Sequence, residues 1–161
     1  IAYMAYAFRR VSRPVASWKY GAMAVVAQLH DVLLVLGVFA LLGKFSGVEV
    51  GIDFVVALLT VIGFSVTDTI VVYDRIRENL LHHTGDNFAE TVNNGLNQTL
   101  MRSINTTMTV LLPLLALYFL GGSTIHSFAL ALLIGMASGA YSSIFVASPL
   151  LVLVEKWQRR G

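Results

Sequence analysis

Four stretches of the chain, 20–43, 50–73, 100–120 and 128–154, are apolar over lengths of about 20 residues or more. A hydrocarbon core of roughly 30 Å is crossed by about 20 helical residues, so each stretch is long enough to span it. Lipid supplies no hydrogen-bond partners for an open backbone, which leaves a helical bundle as the fold these stretches permit. Composition agrees, because 57% of the 161 residues are hydrophobic and only 12% are charged. The expected class is therefore all-α: a polytopic membrane helical bundle. No cysteine is present, which excludes a disulfide framework and a thiolate metal site. Ile1 falls inside an apolar phrase, IAYMAYAF, so residues 1–8 read as the end of a further transmembrane helix and the chain as the C-terminal part of a longer protein.

Charge sets the expected orientation. The loop 9–19 holds Arg9, Arg10, Arg13 and Lys19, the segment 74–99 and its edge hold Arg75, Arg77 and Arg102, and the tail 155–161 holds Lys156, Arg159 and Arg160. The two remaining loops hold Lys44 alone, so ten Lys and Arg lie on one side and one on the other. The positive-inside rule places the first loop, the segment 74–99 and the C-terminal tail in the cytoplasm. Trp18 and Trp157 fall at that interface, where aromatic belts form. Within 74–99, Asn87 and Glu90 have capping-box spacing, and Phe88, Val92 and Leu96 recur every fourth residue among asparagines. This predicts a short amphipathic helix at the cytoplasmic surface, lying on lipid or packed on the bundle.

Polar residues inside the spans are the candidates for function, because a charge near the bilayer centre costs about 2.5–3.5 kcal/mol on insertion scales. Asp68 lies in the cytoplasmic half of its span, with Ser65 and Thr69 beside it as a predicted polar stripe. Such an acid is protonated, paired or facing a wet cavity, and belongs either to a proton path or to a helix–helix hydrogen bond. Arg102, Asn105, Thr106 and Thr109 are spaced to give the 100–120 span a polar face. Snorkelling explains an arginine near the boundary. It does not explain the deeper polar residues, which favours pairing of Arg102 with Asp68 or with a carboxylate of another subunit. His30 and Asp31 sit near the middle of the 20–43 span as a relay or a fixed clamp. No second acid or base is spaced to continue a relay, which favours a supporting role. Asp74, Arg75, Arg77 and Glu78 make i,i+3 pairs at a membrane exit. Gly135, Gly139, Ser143 and Ala147 form a small-residue ridge for close helix packing, with Ser138 and Ser142 beside it. Pro113 and Pro149 are expected to bend their helices. No phosphate loop, HExxH or nucleophile set is present, so the sequence points away from an enzyme.

GFSVTDTIVVYDRIREN (63–79), RSINTTMTVLL (102–112), FLGGSTIHSFALALLIGMASGAYSSIFVASPLL (119–151) and LHDV (29–32) together resemble the SecF family, the smaller half of the SecDF protein-export complex. Phe64, Thr67 and Tyr73 depart from its usual residues. The resemblance implies half of an RND-type transporter transmembrane domain in the plasma membrane of a bacterium or archaeon. It implies SecD, fused or separate, the SecYEG channel and secretory protein clients as partners, besides membrane lipid, with no nucleic acid. It also implies no cofactor beyond the proton as coupling ion, and a proton path that includes Asp68 and Arg102. Two alternatives share some of these features: a proton-driven RND exporter of lipid or small molecules, and a structural scaffold in which Asp68 and Arg102 are only a clamp.

Overall fold

The computed structural model describes residues 17–82, 85 and 87–160. The helix end expected at 1–8, and Arg9, Arg10 and Arg13 of the 9–19 loop, lie outside the described residues. Among the described residues the chain is all-α, with helices α1 (Ser17–Ser46), α2 (Ile52–Leu81), α3 (Phe88–Leu120) and α4 (Ser123–Ser142), a π-helical turn (Ser143–Ala147) and α5 (Ser148–Arg160). Four continuous helical segments among them are long and apolar enough to cross a membrane, the last running from Ser123 to Gln158. At 1.5 Å per residue the 30 residues of α1 and of α2 reach about 45 Å. They therefore project beyond the apolar spans read in the sequence.

The segment expected as a separate amphipathic helix is instead the start of α3, which runs unbroken from Phe88 through Pro113 to Leu120. Its N-terminus is capped by Asn87, whose Oδ1 accepts the Glu90 backbone N–H at 2.9 Å. Phe88 and Val92 are buried against Tyr73, Ile76 and Leu151, so this face covers the bundle. Arg75 pairs with Glu78 and Arg77 with Asp74 along α2. The same end is tied to α3 where Arg75 Nε (2.6 Å) and Asn79 Nδ2 (3.0 Å) donate to Gln98 Oε1. Gly47, at φ 65°, ends α1 with its N–H on the Gly43 carbonyl, a conformation that favours glycine. Only Gly121 and Gly122 separate α3 from α4.

α2 packs against α1, α3 and α4. Its contact with α4 and the π turn keeps one register: Gly135 faces Val61, Gly139 faces Ser65, Ser143 faces Thr69 and Ala147 faces Tyr73, with partners 74 residues apart. A Cβ on Gly135 would run into the Val61 side chain, and one on Gly139 would lie 3.0 Å from Ser65 Cβ. The missing side chains thus let two parallel backbones meet. Tyr73 closes this seam by donating to the Ala147 carbonyl at 2.9 Å.

The π turn follows from Pro149, which has no N–H to offer the preceding turn and whose ring crowds the carbonyl four residues back. Ser148 Oγ compensates by donating to the Ser143 carbonyl at 3.0 Å. Two apolar clusters fill the interior, one around Tyr20, Tyr73 and Leu151 and one around Phe39, Phe54 and Val61. Asp31, Ser65, Ser138 and Ser142 fall between them in each helix, so a polar layer separates the two clusters.

Candidate functional site

Asp68 and Arg102 line one open cavity of about 60 Å³ between α2 and α3, together with Phe64, Thr67, Val71 and Thr106. That volume holds a few waters. The two charges do not form the direct pair favoured by the sequence. Among the described residues no ion pair joins them, and Asp68 Oδ1 instead accepts the Ser103 hydroxyl at 2.8 Å. Asp68 Oδ2 is buried and has no hydrogen-bond partner. The carboxyl is thus half-satisfied, with an arginine across a small gap.

Ser65 and Thr69 do not share this cavity. Both are buried and turned away from it, toward α1 and α4. Thr69 Oγ1 meets Ser143 Oγ at 3.0 Å. Ser65 Oγ donates to Asp31 Oδ2 at 2.6 Å, so the single polar stripe expected on α2 is two faces with different partners. Arg102, Asn105, Thr106 and Thr109 are exposed on the outer face of α3, where Thr109 satisfies itself on the Asn105 carbonyl at 2.7 Å. The inner face carries Thr99, Ser103 and Thr107 instead.

Asp31 is the more completely built of the two intramembrane acids. It is 1% exposed. Ser65 and Ser142 donate to Oδ2 at 2.6 and 2.7 Å, Ser138 donates to Oδ1 at 2.9 Å, and His30 Nδ1 lies 3.3 Å from Oδ1. Three helices therefore meet on one carboxylate. An ionised carboxylate accepts about four hydrogen bonds, so this one is close to full. The sequence placed Asp31 and His30 in a supporting role but did not show the serines as partners. Ser103 was missed as well. Its signal was available in the i, i+4 recurrence of Thr99, Ser103 and Thr107, a second polar row on α3. Among the described residues no group of three or more His, Cys, Asp or Glu could hold a metal ion.

Residues 14–157 match the family model described as protein export membrane protein SecD/SecF, C-terminal. The chain is 60% identical over 160 residues to the protein translocase subunit SecF of Thermobaculum terrenum, covering 99% of this chain and 49% of that one. It is 48% identical over 145 residues to the protein translocase subunit SecDF of Thermus thermophilus, covering 89% of this chain and 18% of that one. The crystal structure of SecDF in its super-membrane-facing form superposes with a TM-score of 0.82 at 45% identity, over 99% of this chain and 20% of that one. The chain thus spans about half the length of its SecF relatives.

Proposed function

The chain belongs to the SecD/SecF C-terminal family of protein-export membrane proteins, and we propose on that footing that it is the proton-coupling membrane part of a SecF subunit. In this reading it works beside a SecD half and the SecYEG channel, and uses the proton-motive force to assist translocation of secretory proteins. The observation that carries the proposal is the cavity shared by Asp68 and Arg102. An acid with a free oxygen and a fixed cation across a wet gap is what reversible proton binding requires.

The polar outer face of α3 supports a partner. Arg102, Asn105 and Thr106 are exposed on this chain, and bare contact of such a row with lipid is costly. A facing protein with its own carboxylate satisfies them, and a SecD helix is the natural occupant. SecDF exists as one polypeptide in the Thermus thermophilus relative, which places the two halves in one molecule there. The distribution of Lys and Arg supports a multi-pass orientation in the plasma membrane with the C-terminus in the cytoplasm. The proton is the only coupling species this reading needs, and no hydrolytic chemistry enters.

A proton crossing 100 mV releases about 2.3 kcal/mol. Neutralising Asp68 removes an anion opposite Arg102, a local charge change of the kind that biases one helix arrangement over another. The test is export into inverted membrane vesicles by the assembled complex. Asp68→Asn and Arg102→Lys should each abolish the proton-dependent part of export while leaving the complex intact. Undiminished proton-dependent export in an assembled Asp68→Asn complex would sink the proposal.

A further inference from the structure

α2 and α3 are joined a second time on the Asp74–Glu78 side of the Asp68 cavity. Arg75 Nε at 2.6 Å and Asn79 Nδ2 at 3.0 Å both donate to Gln98 Oε1. We propose that Gln98 is a positioning residue for the Asp68 cavity: by holding two α2 donors on one oxygen, it fixes α3 at the rotation that sets Ser103 and Arg102 opposite Asp68. The inference rests on reading that cavity as a proton site. It adds a residue that does not line the cavity.

The spacing carries the coupling. Gln98 precedes Arg102 by four residues and Ser103 by five, so about 6–8 Å of one helix separates the tie from the groups it places. On α2, Asp68, Arg75 and Asn79 stand at i, i+7 and i+11, which keeps them on one face. Between these rows the two backbones meet. A Cβ on Gly95 would lie 2.9 Å from Ile76 Cγ1 and 3.3 Å from Ile76 Cα. A contact without a side chain sets how near the helices come but gives no ridge to resist rotation. Thr99 is buried beside it, yet its hydroxyl turns back onto the Gly95 and Leu96 carbonyls. Gln98 supplies a directional tie between that contact and the cavity. Both of its donors are themselves held, since Asn79 is buried and Arg75 is paired with Glu78.

The tolerance is small. Ser103 Oγ donates to Asp68 Oδ1 at 2.8 Å, and a separation of about 3.6 Å is no longer a hydrogen bond. A Cα sits about 2.3 Å from the helix axis, so turning α3 by about 20° moves that of Ser103 by about 0.8 Å. A displacement of that size uses up the slack in the bond.

A cysteine pair reads the position directly. The chain has no cysteine of its own, so Asp68→Cys with Ser103→Cys puts one thiol on each side of the observed contact. Joining of the two by a short thiol-to-thiol reagent in the reconstituted complex should be lost with Gln98→Ala. It should return with Gln98→Glu, which keeps an acceptor for Arg75 and Asn79. Where Gln98→Ala does not assemble, Gln98→Leu removes the acceptor and keeps most of the bulk. Proton flux into vesicles, scored per assembled complex, reads the consequence. Ser103→Ala alone should lower it about fivefold, the loss of one hydrogen bond. In a Gln98→Ala chain, where Ser103 no longer reaches Asp68, the same change should cost almost nothing further. A role confined to stability would instead give two losses that multiply. Equal crosslinking in the parent and Gln98→Ala chains, a Gln98→Glu chain that behaves as Gln98→Ala does, or multiplying losses would each overturn the proposal. Undiminished flux in Asp68→Asn sinks the coupling reading alone, because the crosslink still decides whether Gln98 sets the register.

Discussion

Ser103 shows how much one hydroxyl can matter at the Asp68 cavity. It is the hydrogen-bond donor on Asp68 Oδ1, and Oδ2 has none. Ser103→Ala removes the hydroxyl that donates to Asp68 Oδ1, a loss of about 1 kcal/mol for a bond of this kind. Proton-dependent export should fall about fivefold for that energy, while Ser103→Thr, which keeps the hydroxyl, should stay near the parent rate. An unaltered rate in Ser103→Ala would remove Ser103 from the site. Asp68 and Arg102 could be chosen from the sequence because intramembrane charges are expensive wherever they stand. Ser103 could not be chosen as readily, because a serine costs little in a helix. Its role depends on which way α3 is rotated.

At the scale of elements the spans were legible because hydropathy and length are summed over many residues, and no single contact can overturn the sum. Three things were not. The α3 amphipathic stretch looked detached because asparagines interrupt its hydropathy, yet its cap at Asn87 starts a helix that packing on α2 then carries into the membrane. The π turn has no residue code of its own; it is a response to Pro149 that depends on Ser148 reaching back to Ser143. The Asp31 cluster needs the relative rotation of α1, α2 and α4, which no local pattern contains. The α2–α4 seam makes a quantitative claim. Gly139→Leu forces a side chain onto Ser65, whose Cα lies 3.3 Å from the point a Cβ on residue 139 would occupy. It should cost about 1–3 kcal/mol of stability, the usual size of overpacking. Gly63→Leu, where a Cβ meets nothing within 4 Å, is the matched control and should cost far less. Equal losses in thermal unfolding of the two detergent-solubilised variants would contradict the seam as drawn.

For the whole molecule, the informative asymmetry is between inside and outside. Inside, the polar layer around Asp31 is satisfied by this chain's own serines. Outside, the α3 face with Arg102, Asn105 and Thr106 is left for something else to cover. The two acids thus differ in setting: Asp31 joins helices within the chain, and Asp68 lines the open cavity between α2 and α3. The most direct test of proton coupling is proton flux itself, measured with a pH-sensitive dye in vesicles containing the assembled complex under an imposed gradient. The expected result is flux with the parent chain, and none above the empty-vesicle leak with Asp68→Asn. Equal flux through the parent and Asp68→Asn complexes would contradict the coupling role assigned to this cavity.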